Sequence, residues 1–235
     1  MRKNACFGGI LPASMVMQRP IAFDWQNKRI HFTMADLVLA SQSAVRATLL
    51  KNAGLTFSQE SAQIDERATE APLIETGFNP SDIAEVLAEA KAMDVSHRYP
   101  AAYVIGADQT MSYSHDGAIV RAHKPKNMEE ARGQLLQLRG KTHTLHAALC
   151  CVKGGETLFR YTDNAHLTMR NYSPAFIGQY LSSTGEKALT SVGCYQLEGE
   201  GIQLFEEVNG NYFTILGLPL LPLLDFLRSQ GILGE

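Results

Sequence analysis

The pattern of apolar and polar positions along the chain predicts short strands that alternate with helices. An apolar run at 37–40 reads as a strand, and after the polar "SQS" a helical pattern follows that ends before Gly54, a residue type common just past a helix end. A second short strand is predicted at 55–59, and the polar segment 63–70 is predicted to be a loop. From 79 to 93, apolar residues recur at helical spacing behind a polar start, which predicts a second helix.

The second half of the chain continues this mixture. A buried strand is predicted over Tyr103–Ala107, ending at the carboxylate of Asp108, and "HDG" is predicted to be a hairpin turn. The remaining predicted elements are a helix that Asn127 caps, a long β-hairpin over 141–169, a helix in "SPAFIGQYLSS" and a last helix that ends before Gly231. Because hairpins accompany strand–helix units, we expect an α/β fold with a mixed central sheet flanked by helices.

Composition narrows the class of protein. The chain of 235 residues is 45% hydrophobic and 19% charged, as expected of a globular protein with a sizeable core. Its net charge of −3 argues against a partner held by bulk charge, either a nucleic-acid polymer or a membrane surface. No apolar run approaches the roughly 18 residues of a membrane span. The four cysteines lack metal spacing, so we expect reduced thiols in a cytoplasmic protein, with Cys150 and Cys151 on opposite faces of a strand.

Residues 1–33 differ from the rest of the chain. They carry Arg2 and Lys3, a mildly apolar middle that Pro12 interrupts, and no acid before Asp24. The segment lacks a clear small-x-small cleavage site. We therefore expect a disordered N-terminal extension, or a start codon placed too early with Met34 as the true beginning, followed by one domain over 34–235.

The segment "LASQSAVR" combines several features of an anion site. A strand that delivers Ser41 and Ser43 to the start of a helix brings together hydroxyl groups, free backbone N–H groups and the positive end of the helix dipole. Arg46 lies in the first turn, where its charge opposes the dipole unless a phosphate completes the site. The ordinary alternative, in which Ser43 only caps the helix and Arg46 is solvated, stays open at this point.

Two lysines and three acids could contribute further chemistry. Lys91 falls at the edge of the apolar stripe of its helix, from which its ammonium can reach a cleft. Lys124 precedes a proline, which holds its backbone extended. Carboxylates such as Asp108, Glu66 and Glu198 can bind Mg²⁺, and one of them can take a proton from water. Taken alone, Lys91 is better explained as an ordinary surface lysine and Lys124 as part of a solvated basic loop. The ordinary explanation of Glu66 and Glu198 is loop solubility, and that of Asp108 is a turn.

Seven segments give these residues a shared context. They occur in the order "LVLASQSAVRATLL", "IDE", "EAKA", "VIGADQT", "KPKNMEEARGQLLQLRGKTH", "GCYQLEGEG" and "NYFTILGLP". Together they resemble the Maf family of nucleoside triphosphate pyrophosphatases over about residues 34–230. The resemblance implies an inosine-triphosphatase-like α/β fold with two lobes and a cleft. It also implies hydrolysis of a nucleoside triphosphate between its α and β phosphates, with a divalent cation, Mg²⁺ or Mn²⁺.

The resemblance also implies roles for single residues. Asp108 would be the proton acceptor that activates water, and Glu66 would hold the metal together with Asp108. The residues implied to contact phosphate are Ser41, Ser43, Arg46, Lys91 and Lys124. This division is physically sensible, because cations offset the phosphate charge while a metal and an acid prepare the nucleophile.

At three positions the chain resembles one branch of the family more than the others. Many members read "SPRR", "GADT" and "IQG" where this chain has Val45, Gln109 and Glu198, and these three residues resemble the branch that acts on 7-methyl-GTP. A carboxylate at Glu198 can accept hydrogen bonds from a guanine base and suits the positive charge that N7 methylation adds. Val45 cannot stack on a cationic base as an aromatic residue could. A dTTP/UTP pyrophosphatase therefore remains an alternative.

Two further alternatives come from other functional classes. The segment "DQT" resembles the D-x-D-x-T nucleophile of aspartyl phosphotransferases, but Thr110 stands where the second acid is needed. A nucleotide-binding regulator of cell division without turnover is the other, since proteins that resemble this family are linked to division arrest. The sequence leaves a homodimer open.

Overall fold

The computed structural model describes residues 36–234 together with two short strands near the N-terminus, β1 (Ile21–Asp24) and β2 (Arg29–Phe32). The chain divides into two units, Met1–Met34 and Ala35–Glu235. In the first unit β1 and β2 pair antiparallel, with Ile21 opposite Phe32. The other residues of 1–33 lie outside the described ones, so the expected extension or early start stays a prediction.

The second unit is built on a seven-stranded mixed sheet. Its strands are β3 (Leu37–Ala40), β4 (Ser58–Gln59), β5 (Tyr103–His115), β6 (Ala118–Ala122), β7 (Thr142–Lys153), β8 (Glu156–Met169) and β9 (Phe205–Asn209). They are ordered β4-β3-β5-β7-β8-β9, and β6 pairs with β5. β3 runs parallel to both β4 and β5, whereas all other pairs in the sheet are antiparallel.

Helices cover this sheet. They are α1 (Ala44–Asn52), α2 (Glu66–Glu75), α3 (Pro80–Arg98), α4 (Met128–Leu138), α5 (Pro174–Thr184), α6 (Tyr212–Ile215) and α7 (Leu220–Ser229), with 3₁₀ helices at Gly185–Thr190 and Glu200–Leu204. Most begin at a side-chain cap of the expected kind. Asn127, for example, accepts a hydrogen bond from the backbone N–H of Glu130 at the start of α4. The mixed sheet flanked by helices confirms the predicted fold class.

Two element predictions are wrong. The predicted loop at 63–70 contains the start of α2, for which the side chain of Asp65 accepts from the N–H of Ala68. None of the residues of α2 is buried, so the helix has no apolar stripe for a periodicity search to find. The strand expected to end at Asp108 instead continues to His115, because β7 pairs with it from Val104 to Tyr113.

The buried residues of this unit form three clusters. Two of them lie on the two faces of the sheet around β3 and the first half of β5, and Cys150 and Cys151 fall into different ones, which confirms the prediction that they face opposite sides. The third cluster joins the second half of β5 to α4 and α5. Cys150, Cys151 and Cys194 are buried free thiols. Among the described residues, no helix has the length and apolarity needed to cross a bilayer.

Candidate active site

A gap along one edge of β5 opens the site. On that edge β3 pairs with β5 only as far as Gly106, which lies opposite Ala40, and β6 takes over only at Met111. The four residues between, 107–110, have no strand partner on this edge within the described part of the sheet. The Asp108 side chain is therefore held on a continuous strand, yet beside an opening.

Asp108 and Lys91 form a buried ion pair inside this opening. The Lys91 Nζ lies 2.6 Å from Asp108 Oδ1 and 2.8 Å from Glu66 Oε1. Both members of the first pair are buried, whereas the Glu66 side chain is 55% exposed. Because a buried charge is stable only with partners, the ammonium compensates the carboxylate of Asp108. α3 and α2 thus bring a lysine and a second acid to the aspartate of β5.

Arg46 is fixed by oxygen atoms on three sides. Its Nε donates to the carbonyl of Gly217 at 2.7 Å, and its Nη1 donates to the carbonyl of Ala107 at 2.8 Å and to Ser41 Oγ at 3.1 Å. Burial lowers the pKa of Arg46, although the charges of Asp108 and Glu66 oppose this shift. The alternative of a solvated Arg46 is therefore wrong.

The start of α1 completes this part of the site. Ser43 does cap α1, since its Oγ accepts from the N–H of Arg46 at 3.4 Å. Ser41 Oγ in turn accepts from the N–H of Ser43 at 3.3 Å. Capping and an anion site are compatible, because a helix start has several free N–H groups and one cap satisfies only one of them. The structure therefore shows the Ser43 cap, while the anion site at the start of α1 stays a prediction.

The side chain of Gln109 is also held by backbone carbonyl groups. Its Nε2 donates to the carbonyl of Thr214 at 2.9 Å and to that of Ile215 at 3.1 Å. Together with Gly217, these residues belong to "NYFTILGLP", the last of the seven segments. The end of α6 and the turn that follows it therefore position Gln109 and Arg46 through three carbonyl oxygens.

A second arginine, Arg121, also lines the cavity. Arg121 on β6 contacts both carboxylate oxygens of Glu70 on α2. Its Nη1 donates a hydrogen bond to Oε2 at 2.9 Å. Its Nη2 lies 2.8 Å from Oε1 as an ion pair but is not oriented to donate a hydrogen bond. Nearby His123 is partly exposed, and its pKa is lowered first by its partial burial and then by the charge of Arg121. Lys124 is exposed at the rim. α2 is thus attached to the two walls by Glu66 and Glu70, each paired with a cation that lines the cavity.

The segment 190–198 forms the remaining wall. Its fixed point is Tyr195, whose hydroxyl lies 2.7 Å from Nε2 of the buried His143. Cys194 has a φ of 58°, so the backbone turns sharply just before Tyr195. Glu198 is exposed beyond it, at the end of the wall. The base-selecting acid that the resemblance implies therefore lies on a loop that is anchored from below.

These walls enclose a cavity of about 980 Å³. Such a volume is at the upper end of the range of small-molecule sites. Every residue predicted from the sequence lines this one cavity: Ser41, Ser43, Val45, Arg46, Glu66, Lys91, Asp108, Gln109, Lys124 and Glu198. The structure thus brings all ten together, while their individual roles stay predictions.

Sequence reasoning missed four contributors. Glu70 and Arg121 form the ion pair between α2 and β6. The sequence showed only a negative residue in a predicted loop and a positive residue after a predicted hairpin turn. Thr214 and Gly217 act through backbone carbonyl groups, which leave no chemical signal in a sequence. Their presence in a recognised segment was the one available hint.

A divalent cation fits part of this site. Among the described residues there is no group of three or more histidine, cysteine and acidic side chains placed to hold a metal. Glu66 and Asp108 nevertheless converge on one cation, the Lys91 ammonium, as two carboxylates would on a metal. Mg²⁺ is usually bound by one or two carboxylates plus phosphate oxygens and water. The two acids are therefore a sufficient protein contribution to such a site.

Comparisons with known proteins agree with these observations. Residues 36–230 match the family described as Maf-like protein. The chain is 56% identical over 194 residues to the 7-methyl-GTP pyrophosphatase of Brucella abortus, covering 83% of this chain and 96% of that protein. It is 53% identical over 195 residues to the protein of the same name in Mesorhizobium japonicum, covering 83% and 96%. It is 46% identical over 201 residues to the nucleoside triphosphate pyrophosphatase of Caulobacter vibrioides, covering 86% and 98%. The chain belongs to the Maf family.

Proposed function

We propose that this protein is a nucleoside triphosphate pyrophosphatase that cleaves the bond between the α and β phosphates and prefers 7-methyl-GTP. The observation that carries the proposal is the buried Lys91–Asp108 pair at 2.6 Å inside a cavity that Arg46 and Lys124 also line. The names and high identity of the relatives support both the reaction and the base.

The arrangement of charge suits a triphosphate. Arg46 is held rigidly by three oxygen atoms, and its Nη2 has no described hydrogen bond, so this nitrogen is available to a phosphate oxygen. Lys91 can contact the phosphates from α3 and Lys124 from the rim, while the helix start at Ser43 offers free N–H groups. Because Arg46 and Lys91 are held by hydrogen bonds and ion pairs before binding, these two cations stabilise negative charge without reorganisation during the reaction.

Asp108 is suited to accept a proton. Among the described residues, only its Oδ1 has a hydrogen-bond partner, the Lys91 ammonium, which leaves Oδ2 for a water molecule. That water would lose a proton to Asp108 as its oxygen attacks phosphorus, and pyrophosphate would leave. Glu66 and Asp108 would hold the divalent cation. When bound, the cation supplies Lewis acidity and neutralises charge on the departing phosphates.

The base would lie toward Gln109, Val45 and Glu198. Glu198 is a carboxylate that can accept hydrogen bonds from the N1–H and the exocyclic amine of guanine. The positive charge of a 7-methylguanine is also attracted to this carboxylate. Thymine or uracil would offer only one such donor, which favours 7-methyl-GTP over the dTTP/UTP alternative.

The replacement of Asp108 by asparagine tests the reaction. Asp108→Asn keeps the shape of the side chain and removes the proton acceptor, so we expect kcat to fall by about 10²- to 10⁴-fold. Nucleotide affinity, measured by calorimetry, should change little. The matched control is Asp225→Asn, an exposed aspartate of α7 that does not line the cavity. Wild-type kcat in Asp108→Asn would refute the assigned role.

A panel of nucleoside triphosphates separates the alternatives. Pyrophosphate release with Mg²⁺ or Mn²⁺ from 7-methyl-GTP, GTP, UTP and dTTP identifies the base. Nucleotide affinity without any pyrophosphate would favour the regulator of cell division. Phosphate trapped on Asp108 would favour the phosphotransferase. A cytoplasmic location fits the buried free thiols, and a homodimer remains a prediction for a solution measurement.

A further inference from the structure

Three residues form a row across the sheet beneath the base side of the cavity. Gln109 on β5 lies opposite Ala147 on β7, and Ala147 lies opposite Asp163 on β8. Residues paired across strands share a sheet face, so the side chains of Gln109 and Asp163 flank the small, fully buried Ala147. The space above an alanine between two longer side chains can admit a residue from another element.

Thr214 of α6 connects the two ends of this row. It is fully buried, its hydroxyl donates to Asp163 Oδ2 at 2.6 Å, and its carbonyl accepts from Gln109 Nε2 at 2.9 Å. The carboxylate is itself held, because Oδ1 of Asp163 accepts from the N–H of Asn164 at 2.9 Å. A fixed acid thus orients the threonine, and the threonine backbone orients the glutamine.

These contacts determine which end of the Gln109 amide is free. The two groups that it contacts, the carbonyl groups of Thr214 and Ile215, can only accept hydrogen bonds. The atom facing them must therefore be the amide nitrogen, and both of its hydrogens are used there. What Gln109 retains for a ligand in the cavity is the oxygen Oε1, an acceptor.

We propose that Asp163 and Thr214 are positioning residues that make Gln109 a fixed hydrogen-bond acceptor for the base. This inference rests on the proposed function. Glu198 lines the same cavity as a second acceptor, so the base pocket is rich in acceptors and suits a base with neighbouring donors, the N1–H and 2-amino group of a guanine. A uracil or thymine edge places acceptors beside its single N–H, and these would meet Oε1 unfavourably.

The test is selectivity rather than activity. Thr214→Val removes the hydroxyl at nearly constant volume and frees the α6 turn, so that the Gln109 amide can rotate and present its NH₂ group. We expect the ratio of kcat/KM for 7-methyl-GTP to that for UTP to fall by roughly tenfold. Thr214→Ser keeps the donor and should restore the wild-type ratio. Thr162→Val on β8, whose side chain points to the other sheet face from Asp163, is the matched control.

A second pair of variants covers the event that the buried Thr214→Val fails to fold. Asp163→Ala removes the acceptor of the hydroxyl from the half-buried strand β8, whereas Asp163→Asn keeps an acceptor oxygen. We expect the selectivity ratio to fall in Asp163→Ala and to be largely kept in Asp163→Asn. Circular dichroism and a melting curve establish that each variant is folded.

The outcomes are distinguishable. If the wild-type protein releases no pyrophosphate from any nucleotide, the proposed function itself is refuted. If it does, and folded Thr214→Val or Asp163→Ala keeps the wild-type ratio, only the positioning role is refuted. An equal loss on both substrates also refutes it, because that is the signature of general damage to the fold rather than of a reoriented amide.

Discussion

At the scale of single residues, His143 is an almost fully buried titratable group next to the cavity wall. Its ring packs against the rings of Tyr195 and Phe205. Its Nε2 forms a hydrogen bond with the Tyr195 hydroxyl, whereas its buried Nδ1 has no hydrogen-bond partner among the described residues. Burial lowers its pKa from 6.5 to about 3. The imidazole is therefore neutral throughout the physiological range in the folded protein.

This shift predicts a loss of stability in mild acid. Between pH 6.5 and pH 3 the unfolded chain binds a proton at His143 that the folded chain does not bind, so the free energy of unfolding decreases as the pH falls through this window. From pH 7 to pH 5 the contribution is about 2 kcal/mol. Urea unfolding at the two pH values measures this: the decrease in the free energy of unfolding should be smaller by this amount in His143→Gln than in the wild-type protein. The exposed His166 supplies the control His166→Gln, which should behave as the wild type does.

The residue scale also shows what a sequence can and cannot reveal about the site. Asp108, Lys91 and Arg46 were identifiable because their charges stand out against apolar neighbours and because their segments resemble a known family. Gly217 and Thr214 were not, since each acts through a main-chain carbonyl that every residue has. Side-chain chemistry in the recognised segments could be predicted, whereas the Glu70–Arg121 ion pair and the contacts made through backbone carbonyl groups needed coordinates.

At the scale of elements, α3 approaches β5 unusually closely at one position. A Cβ built on Gly106 would lie 2.1 Å from the carbonyl oxygen of Ala88 and 2.8 Å from the Cβ of Ala92. Both contacts involve α3, the helix that carries Lys91. Gly106 therefore permits the close packing that places the ammonium beside Asp108, two residues farther along the strand.

Gly106→Ala should consequently damage both stability and catalysis. Backbone atoms of α3 must move to admit the methyl group, so we expect a loss of about 2–4 kcal/mol in the free energy of unfolding and a decrease in kcat as Lys91 shifts. Gly133→Ala in α4 is the control, because a Cβ there meets no atom within 4 Å and should be neutral or stabilising. A Gly106→Ala protein as stable as wild type would show that α3 is free to adjust.

The elements that the sequence predicted correctly share one property. α3, α4 and the β7–β8 hairpin each bury a continuous face, so burial leaves a period in the sequence. α2 buries no residue and is held by ion pairs of Glu66 and Glu70, for which no period exists. The end of β5 was predicted too early for a different reason. Pairing with β7 extends the strand beyond Asp108, although a charged residue in the local sequence indicates a strand end.

At the scale of the whole molecule, the site depends on contacts between distant parts of the chain. The partners of Arg46 come from positions 41, 107 and 217, and those of Arg121 from position 70. Such convergence is invisible in any one segment. The fold class could be predicted from local patterns, and the membership of the site only from a resemblance that spans most of the chain.

All ten predicted site residues belong to the second unit, Ala35–Glu235. We therefore expect a chain that begins at Met34 to keep the melting temperature and the kcat of the full chain. Differential scanning calorimetry and the pyrophosphate assay, run on both proteins side by side, measure these two quantities. A markedly lower kcat in the shortened protein would show that residues 1–33 contribute to the site.

The hydrogen bond between Arg46 and Gly217 has a consequence for biosynthesis. These two residues are 171 positions apart, so the arginine leaves the ribosome long before its acceptor has been made. A nascent chain that already contains the strand of Asp108 and the helix of Lys91 still lacks the carbonyl that aims its guanidinium. Triphosphate hydrolysis should accordingly begin only when translation is almost complete. Fragments released before Gly217 is made should bind nucleotides more weakly than the full chain does.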